Sequence, residues 1–160
     1  MTLRIGQGFD AHRLVDDRAL RLGGVAIPGE RGLEGHSDGD VLLHAVADAL
    51  LGALGEGDLG AHFSSRDEKL RGIDSAEIVA RVLEGVRERG LRLANLDATV
   101  VAQAPRLAPH QAAMRARVAA LLGAPVGHVN IKVTSTDHLG AIGRAEGIAA
   151  LVVLLLEEAR

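Results

Sequence analysis

Apolar residues recur along the chain with two different periods, and these set the predicted elements. Residues 3–10, LRIGQGFD, place Leu3, Ile5 and Phe9 at alternating positions, the period of a half-buried strand. Residues 19–27, ALRLGGVAI, read as a second strand with a Gly-Gly break, the mark of a bulge. The Gly-rich stretch PGERGLEGHSDGD follows as a loop. VLLHAVADALLGAL is apolar at helical spacing and predicts a helix over residues 40–54, with Ser37 or Asp38 as N-cap. Residues 55–74 form a long polar connection, of a length often used for lids and binding loops. Asp74 caps a helix from Ser75 to Arg89, with Glu77 completing a variant capping box and Gly90 as its stop. Residues 95–103 read as a strand, and Pro109 begins a third helix that ends before Gly123. A strand over 129–135, a second Gly-rich loop, TDHLGAIGRAEG, and a last apolar element over 147–157 complete the chain.

The order β-β-α-α-β-α-β-β predicts an α/β (α+β) fold, a single mixed four- to five-stranded sheet with helices packed on one face. The whole chain, 1–160, is expected to form one domain. The run Ala149–Leu156 does not alternate, and a strand apolar on both sides needs burial on both sides. Three helices cover one sheet face, so neighbouring subunits of a symmetric homo-oligomer are expected on the other. A buried C-terminal helix would explain the same run.

Composition narrows the chemistry. Hydrophobic residues make up 48% and charged residues 24%, which excludes wholesale disorder. The net charge of −3 gives no attraction to nucleic acid or anionic membrane. Phe9 and Phe63 are the only aromatics, too few for a base-stacking platform. Without cysteine there is no thiolate metal site or thiol nucleophile, so a metal must be held by His, Asp or Glu. The segment MTLRIGQGFDAHR lacks the apolar core of a signal peptide and no 18-residue apolar run occurs, so the cytoplasm is the expected compartment.

Four constellations carry candidate chemistry. Asp10 and His12 are two apart, which puts both on one face of an extended segment, and His44 lies on the first helix. Two imidazoles and a carboxylate suit Zn²⁺ with a fourth position open, or His12 is a surface residue and His44 a satisfied helix histidine. His36-Ser37-Asp38-Gly39-Asp40 precedes that helix and forms either a phosphate cradle or a plain cap. Thr134-Ser135-Thr136-Asp137 offers hydroxyls and a carboxylate to phosphate bridged by Mg²⁺, or closes an ordinary turn. Gln103-Ala104-Pro105-Arg106 ends a strand, where freed backbone groups can read a base edge or simply turn the chain. Gly6-x-Gly8-x-x-Ala11 imitates a dinucleotide fingerprint, but no helix follows it.

Taken together, GQGFDAH (6–12), GHSDGDVLLHA (35–45), GDLG (57–60), AQAPR (102–106) and TSTD-x-LG-x-x-GR-x-EG (134–147) resemble the 2-C-methyl-D-erythritol 2,4-cyclodiphosphate synthase family over essentially the whole chain. The resemblance implies that the 2-phosphate of 4-diphosphocytidyl-2-C-methyl-D-erythritol 2-phosphate attacks the β-phosphorus and that CMP leaves. It implies Asp10, His12 and His44 as zinc ligands and Asp137 as the contact to a second divalent cation, Mg²⁺ or Mn²⁺. Catalytic contacts fall on His36, Thr134, Thr136 and Asp137. His36 and Ser37 would contact phosphate, and Asp58 and Gly60 the ribose or erythritol part. The loop from Phe63 to Asp67 would close over the methylerythritol end. Ala102, Gln103, Ala104, Pro105 and Arg106 would read cytosine, and Thr134, Ser135 and Thr136 would bind phosphate. The family resemblance further implies a homotrimer with shared active sites, and an isoprenoid diphosphate at the trimer axis near Arg144 and Glu146.

The chain departs from the family pattern at several positions. FSSRD (63–67) lacks the Pro and inner Asp of the common FPDTD form, which bears on contacts through Ser65. Asp137 replaces the usual Glu and is one methylene shorter, which allows a cation to be held through water. Ala141, Gln7 and Leu151 stand in place of Phe, His and an acidic residue, changes that bear on isoprenoid binding more than on catalysis.

Overall fold

The first strand is longer than its alternation predicts. In the computed structural model, which describes residues 2–64 and 66–159, β1 runs from Leu3 to Asp16. The segment 19–27 is not one bulged strand but a hairpin, β2 (Leu20–Leu22) and β3 (Val25–Ile27). Gly23 and Gly24 both have positive φ, 59° and 74°, so this pair is a two-residue turn that only glycine adopts freely. A short β4 (Arg31–Leu33) lies in the predicted Gly-rich loop and pairs with the end of β1.

Helix α1 spans Val41–Leu54. The long connection that follows holds α2 (Leu59–His62) and a 3-10 turn over Glu68–Leu70. Helix α3 (Ser75–Glu88) is capped by Asp74, which accepts from the Ala76 N–H. The reciprocal half of the capping box does not form, because Glu77 pairs with Arg81 one turn on. Strand β5 starts at Leu91, directly after Gly90, and ends at Val101. A 3-10 turn containing Pro109 leads into α4 (Gln111–Leu122), and β6 covers Val129–Thr134. After a single turn, α5 (Gly140–Gly143), the C-terminal run forms a strand rather than a helix, β7 (Gly147–Glu158).

The main sheet has five strands in the order β4-β1-β7-β5-β6; β5 and β6 are parallel and the other pairs antiparallel. This is the expected mixed sheet, and α1, α3 and α4 cover one face. Helix α1 lies so close to β1 that a Cβ at Gly6 would stand 1.9 Å from the Ala49 carbonyl oxygen, and one at Gly8 2.0 Å from that of Ala45. The GQG motif is therefore a close-packing device that presses α1 onto β1. Beneath the helices Val100, Val152, Leu154 and Ile131 are buried with Leu50 and Val79.

The opposite sheet face carries Leu3, Ile5 and Phe9 of β1 beside Leu151 and Val153 of β7, all exposed in the single chain, with Ile5 at 72% and Phe9 at 58%. On β5 and β6 that face turns polar: Asp97 accepts from Asn130 Nδ2 at 2.8 Å and Lys132 Nζ at 2.5 Å. The Lys132 ammonium holds the Asp97 carboxyl below its ordinary value.

Candidate metal centre and phosphate loops

Residues 6, 8, 10 and 12 of β1 share the sheet face under α1, and the closeness enforced by the glycines brings the first turn of α1 to Asp10 and His12. His44 stands on that turn. Its Nδ1 lies 2.9 Å from Asp10 Oδ2 and 3.1 Å from His12 Nε2, and His12 Nε2 lies 2.7 Å from the same carboxylate oxygen. The edge of a tetrahedron around zinc with imidazole ligands is about 3.3 Å, so these donor atoms sit at near-ligand spacing. The Asp10, His12 and His44 donors form a group able to hold a metal ion.

The outer nitrogens of the two rings favour the same conclusion. His12 Nδ1 lies 2.6 Å from the Glu34 carbonyl oxygen, which can only accept, so Nδ1 carries the proton. His44 Nε2 lies 2.8 Å from Ser37 Oγ and 3.0 Å from Ser75 Oγ, both buried. With the outer nitrogens protonated, the inner nitrogens of both rings face one carboxylate oxygen. Positive charge belongs between these atoms, as ring protons in the single chain or as a bound ion, and the donor set fits a divalent cation. Burial by itself would raise the Asp10 carboxyl, but hydrogen bonds from His12 and His44 hold it well below the ordinary range. For His12, burial acts to lower the imidazole, and the Asp10 hydrogen bond and charge outweigh it and raise it.

Asp40, not Ser37 or Asp38, caps α1, accepting from the Leu43 N–H at 3.0 Å. Its carboxylate also takes the Gly23 and Gly24 N–H groups, so it ties the β2–β3 turn to the helix. Burial pushes the Asp40 carboxyl up, against the pull of these three N–H groups. Asp40 thus already takes one of the free N–H groups at the N-terminus of α1. His36 faces the loop after α2, its Nε2 3.0 Å from the Asp67 carbonyl oxygen. Ser37 is turned inward to His44.

Asp58 caps α2 through the Ala61 N–H, with Gly60 on the helix itself. These two, with Phe9, Asp48 and Phe63, line a depression of about 400 Å³ that opens over Asp10, His12 and His44. Phe63 also borders a smaller, mostly apolar cavity of about 160 Å³ with His36, Ser37 and His44. Asp67 caps the 3-10 turn after it and is exposed. Ser65 lies outside the described residues.

Six of the other predicted residues, Ala102, Gln103, Pro105, Arg106, Thr134 and Ser135, line a second depression of about 230 Å³, and Ala104, Thr136, Asp137 and Arg144 lie outside its lining. The Ala102 N–H donates to the Thr134 carbonyl at 2.9 Å, and Gln103 Oε1 accepts from the His138 N–H at 3.0 Å. Asp137 and His138 both have positive φ, 51° and 63°, rare for residues other than glycine. Thr136 Oγ1 donates to the Leu139 carbonyl at 2.7 Å. Ala104 borders a neighbouring hollow with Arg31. Arg144 and Glu146 form an exposed ion pair, 2.6 Å from Nε to Oε1.

Both depressions lie at one end of the sheet, because Asp10 aligns with Ala150 of β7 and Val100 of β5. Two strand spacings, about 10 Å, separate β1 from β5 there. Sequence reasoning missed Ser75 and the carbonyl of Glu34, and named Asp40 without making it the cap. Asp40 was within reach, since it directly precedes the first helical residue. Nothing local marks Ser75, 31 positions from His44.

Fold and site together define a mixed-sheet α/β protein with an Asp-His-His metal-binding group and a hydroxyl-rich loop at one end of its sheet. The chain belongs to the YgbB family, whose model matches residues 3–157. It is 54% identical over 154 residues to the 2-C-methyl-D-erythritol 2,4-cyclodiphosphate synthase of Halalkalibacterium halodurans, covering 96% of this chain and 98% of that one. It is 56% identical over 155 residues to the synthase of the same name from Geobacillus kaustophilus, covering 97% and 98%. Among solved structures, the bifunctional IspDF of Campylobacter jejuni matches with a TM-score of 0.94 at 41% identity, over 98% of this chain and 42% of that one. The CDP complex of IspF from Plasmodium falciparum matches with a TM-score of 0.86 at 28% identity, over 99% and 97%. No helix among the described residues is long and apolar enough to cross a membrane.

Proposed function

We propose that this chain converts 4-diphosphocytidyl-2-C-methyl-D-erythritol 2-phosphate to 2-C-methyl-D-erythritol 2,4-cyclodiphosphate and CMP, a phosphorus-oxygen lyase step of non-mevalonate isoprenoid biosynthesis. An oxygen of the 2-phosphate bonds to the β-phosphorus, the bond from that phosphorus to the CMP phosphate oxygen breaks, and CMP carries away the charge. No protein nucleophile is needed, so positioning and charge neutralisation carry the catalysis. Asp10, His12 and His44 would hold Zn²⁺ and Asp137 would contact Mg²⁺ or Mn²⁺, cations that would supply Lewis-acid polarisation and screen the phosphate charge.

The protein's own groups do the rest. His36, half-buried beside the lid, donates to a phosphoryl oxygen, and the Thr134, Ser135 and Thr136 segment offers hydroxyl and backbone donors. Ser37, next to His36, adds a phosphate contact through its main chain, its hydroxyl being turned inward to His44. Asp58 and Gly60 face the ribose or erythritol hydroxyls, and Phe63 to Asp67 covers the methylerythritol end. Ala102 to Arg106 hold cytosine through backbone groups, a recognition that requires no stacking aromatic. The whole chain, 1–160, acts as one domain, in the cytoplasm.

A homotrimer completes this reading. The apolar strip of Leu3, Ile5, Phe9, Leu151 and Val153 is a surface of the kind subunits cover. The metal-side and cytosine-side depressions share no lining residue, as half-sites contributed by adjacent subunits would. At the axis, Arg144 offers an exposed guanidinium to an isoprenoid diphosphate.

The observation that carries the reading is the pairing, at one sheet end, of the three-donor centre with the hydroxyl loop. Phosphorus NMR of the reaction with the cytidyl substrate and Mg²⁺ tests it. A cyclic diphosphate and CMP, abolished by chelation and restored by zinc, are expected; linear hydrolysis products would overturn it.

A further inference from the structure

Behind His44, on the side away from Asp10 and His12, lies a buried chain of polar groups that the proposed reaction does not use. Ser75, the first residue of α3, is fully buried, and its Oγ lies 3.0 Å from His44 Nε2. The same hydroxyl donates to Asp38 Oδ1 in a very short contact. Asp38 is fixed in turn: its Oδ2 accepts the Ser75 N–H at 3.1 Å, its Oδ1 the Asp40 N–H at 3.1 Å, and Arg21 Nε stands 3.8 Å from Oδ2.

The proton inventory gives this chain a direction. A carboxylate only accepts, so the contact between Ser75 and Asp38 consumes the single hydroxyl proton of Ser75. Toward His44, Ser75 Oγ can then only accept. The Nε2 of His44 therefore carries a proton, which leaves Nδ1, facing Asp10 and His12, as the nitrogen free to ligate. Ser37 Oγ, 2.8 Å from the same Nε2, shares that proton while accepting the Gly39 N–H at 3.2 Å.

We propose that Ser75, oriented by Asp38, is a positioning residue that fixes His44 in the tautomer that ligates through Nδ1. The proposal rests on the metal-centre reading and adds to it the residues that set the ligand's proton. Partners of this kind alter metal affinity by about 10- to 100-fold when removed.

The test measures zinc dissociation constants of the full chain by competition with a chromophoric chelator. Ser75→Ala and Asp38→Asn are compared with wild type and with Asp74→Ala, which loses a cap of the same helix without touching His44. Zinc binding is expected to weaken about 10- to 100-fold in the first two and to stay within about twofold in the third. Asp38→Asn keeps the volume but sets an amide N–H₂ against donors, so it decides the matter if Ser75→Ala does not fold. Ser75→Thr, which restores the hydroxyl, is expected to recover most of the affinity. Ring ¹⁵N NMR of the zinc-loaded wild type is expected to show His44 protonated at Nε2. Folded Ser75→Ala or Asp38→Asn binding zinc as tightly as wild type, or His44 ligated through Nε2, would overturn the positioning role alone. A wild type that takes up no divalent cation would overturn the metal-centre reading with it.

Discussion

Asp10, His12 and His44 stand on a strand and a helix pressed together at Gly6 and Gly8, whereas Gln103 and Ser135–Asp137 stand on loops held largely by main-chain contacts. In the first region each ring nitrogen has a partner, and His44 is nearly buried. In the second, Thr134, Ser135, Asp137 and His138 are exposed, and two successive residues sit in the left-handed region. A centre that aims lone pairs at one point needs regular elements and buried hydrogen bonds, because a small displacement of one donor loses the ligand geometry. Loops that meet a large polar substrate need reachable hydroxyls and N–H groups, and exposed loop positions supply them.

The largest effect is expected from removing a donor of the rigid region. His44→Ala or Asp10→Ala should lose tightly bound zinc and about a thousandfold in CMP release, since several kcal/mol of charge stabilisation goes with the cation. Metal analysis beside circular dichroism checks that the fold survives; unchanged zinc content would sink the ligand assignment. Next comes the joining of the two regions. Ile5→Asp, in the middle of the exposed strip, should give monomers by light scattering, keep zinc and lose about a hundredfold in turnover through lost positioning. Monomers with full activity would place both regions of a site within one chain.

Asp137→Gly separates strain from chemistry in the loop region. Relief of the left-handed conformation should stabilise the fold by about 1 kcal/mol while turnover falls about tenfold, read by denaturant unfolding and CMP assay. The smallest effect belongs to Asp97 on the polar part of the open face. Its folded carboxyl titrates below the unfolded one, so the pair with Lys132 stabilises above the ordinary carboxylate range and loses that stability as pH falls through the folded value. Asp97→Asn should cost no more than about 0.5 kcal/mol at pH 7, and the difference should vanish in acid. A difference that persists at low pH would assign the effect to packing instead.

The D-x-H spacing on a strand, His44 early in a helix, and the alternating and helical runs could all be read locally, because strand and helix periods follow from backbone geometry. The long β1 was underread past Asp10, since Ala11, His12 and Arg13 do not continue the apolar alternation of Leu3, Ile5 and Phe9, and the strand pairing past Asp10 comes from β7 and β4. The hairpin at Gly23-Gly24 was read as a bulge because the same dipeptide serves both turns, and only pairing distinguishes them. For the same kind of reason the C-terminal run allowed strand or helix until its registers with β1 and β5 were known.

What the sequence by itself determined was the class of fold, the donor set and the residue types at each loop, all of which depend on local period and side-chain chemistry. What only the tertiary structure decided was which polar groups face one another across the chain: Asp40 with the β2–β3 turn, Glu34 with His12, and Ser75 and Asp38 behind His44. The direction of a proton in a buried network depends on the partners that remain once water is excluded, and those partners come from elements distant in the chain.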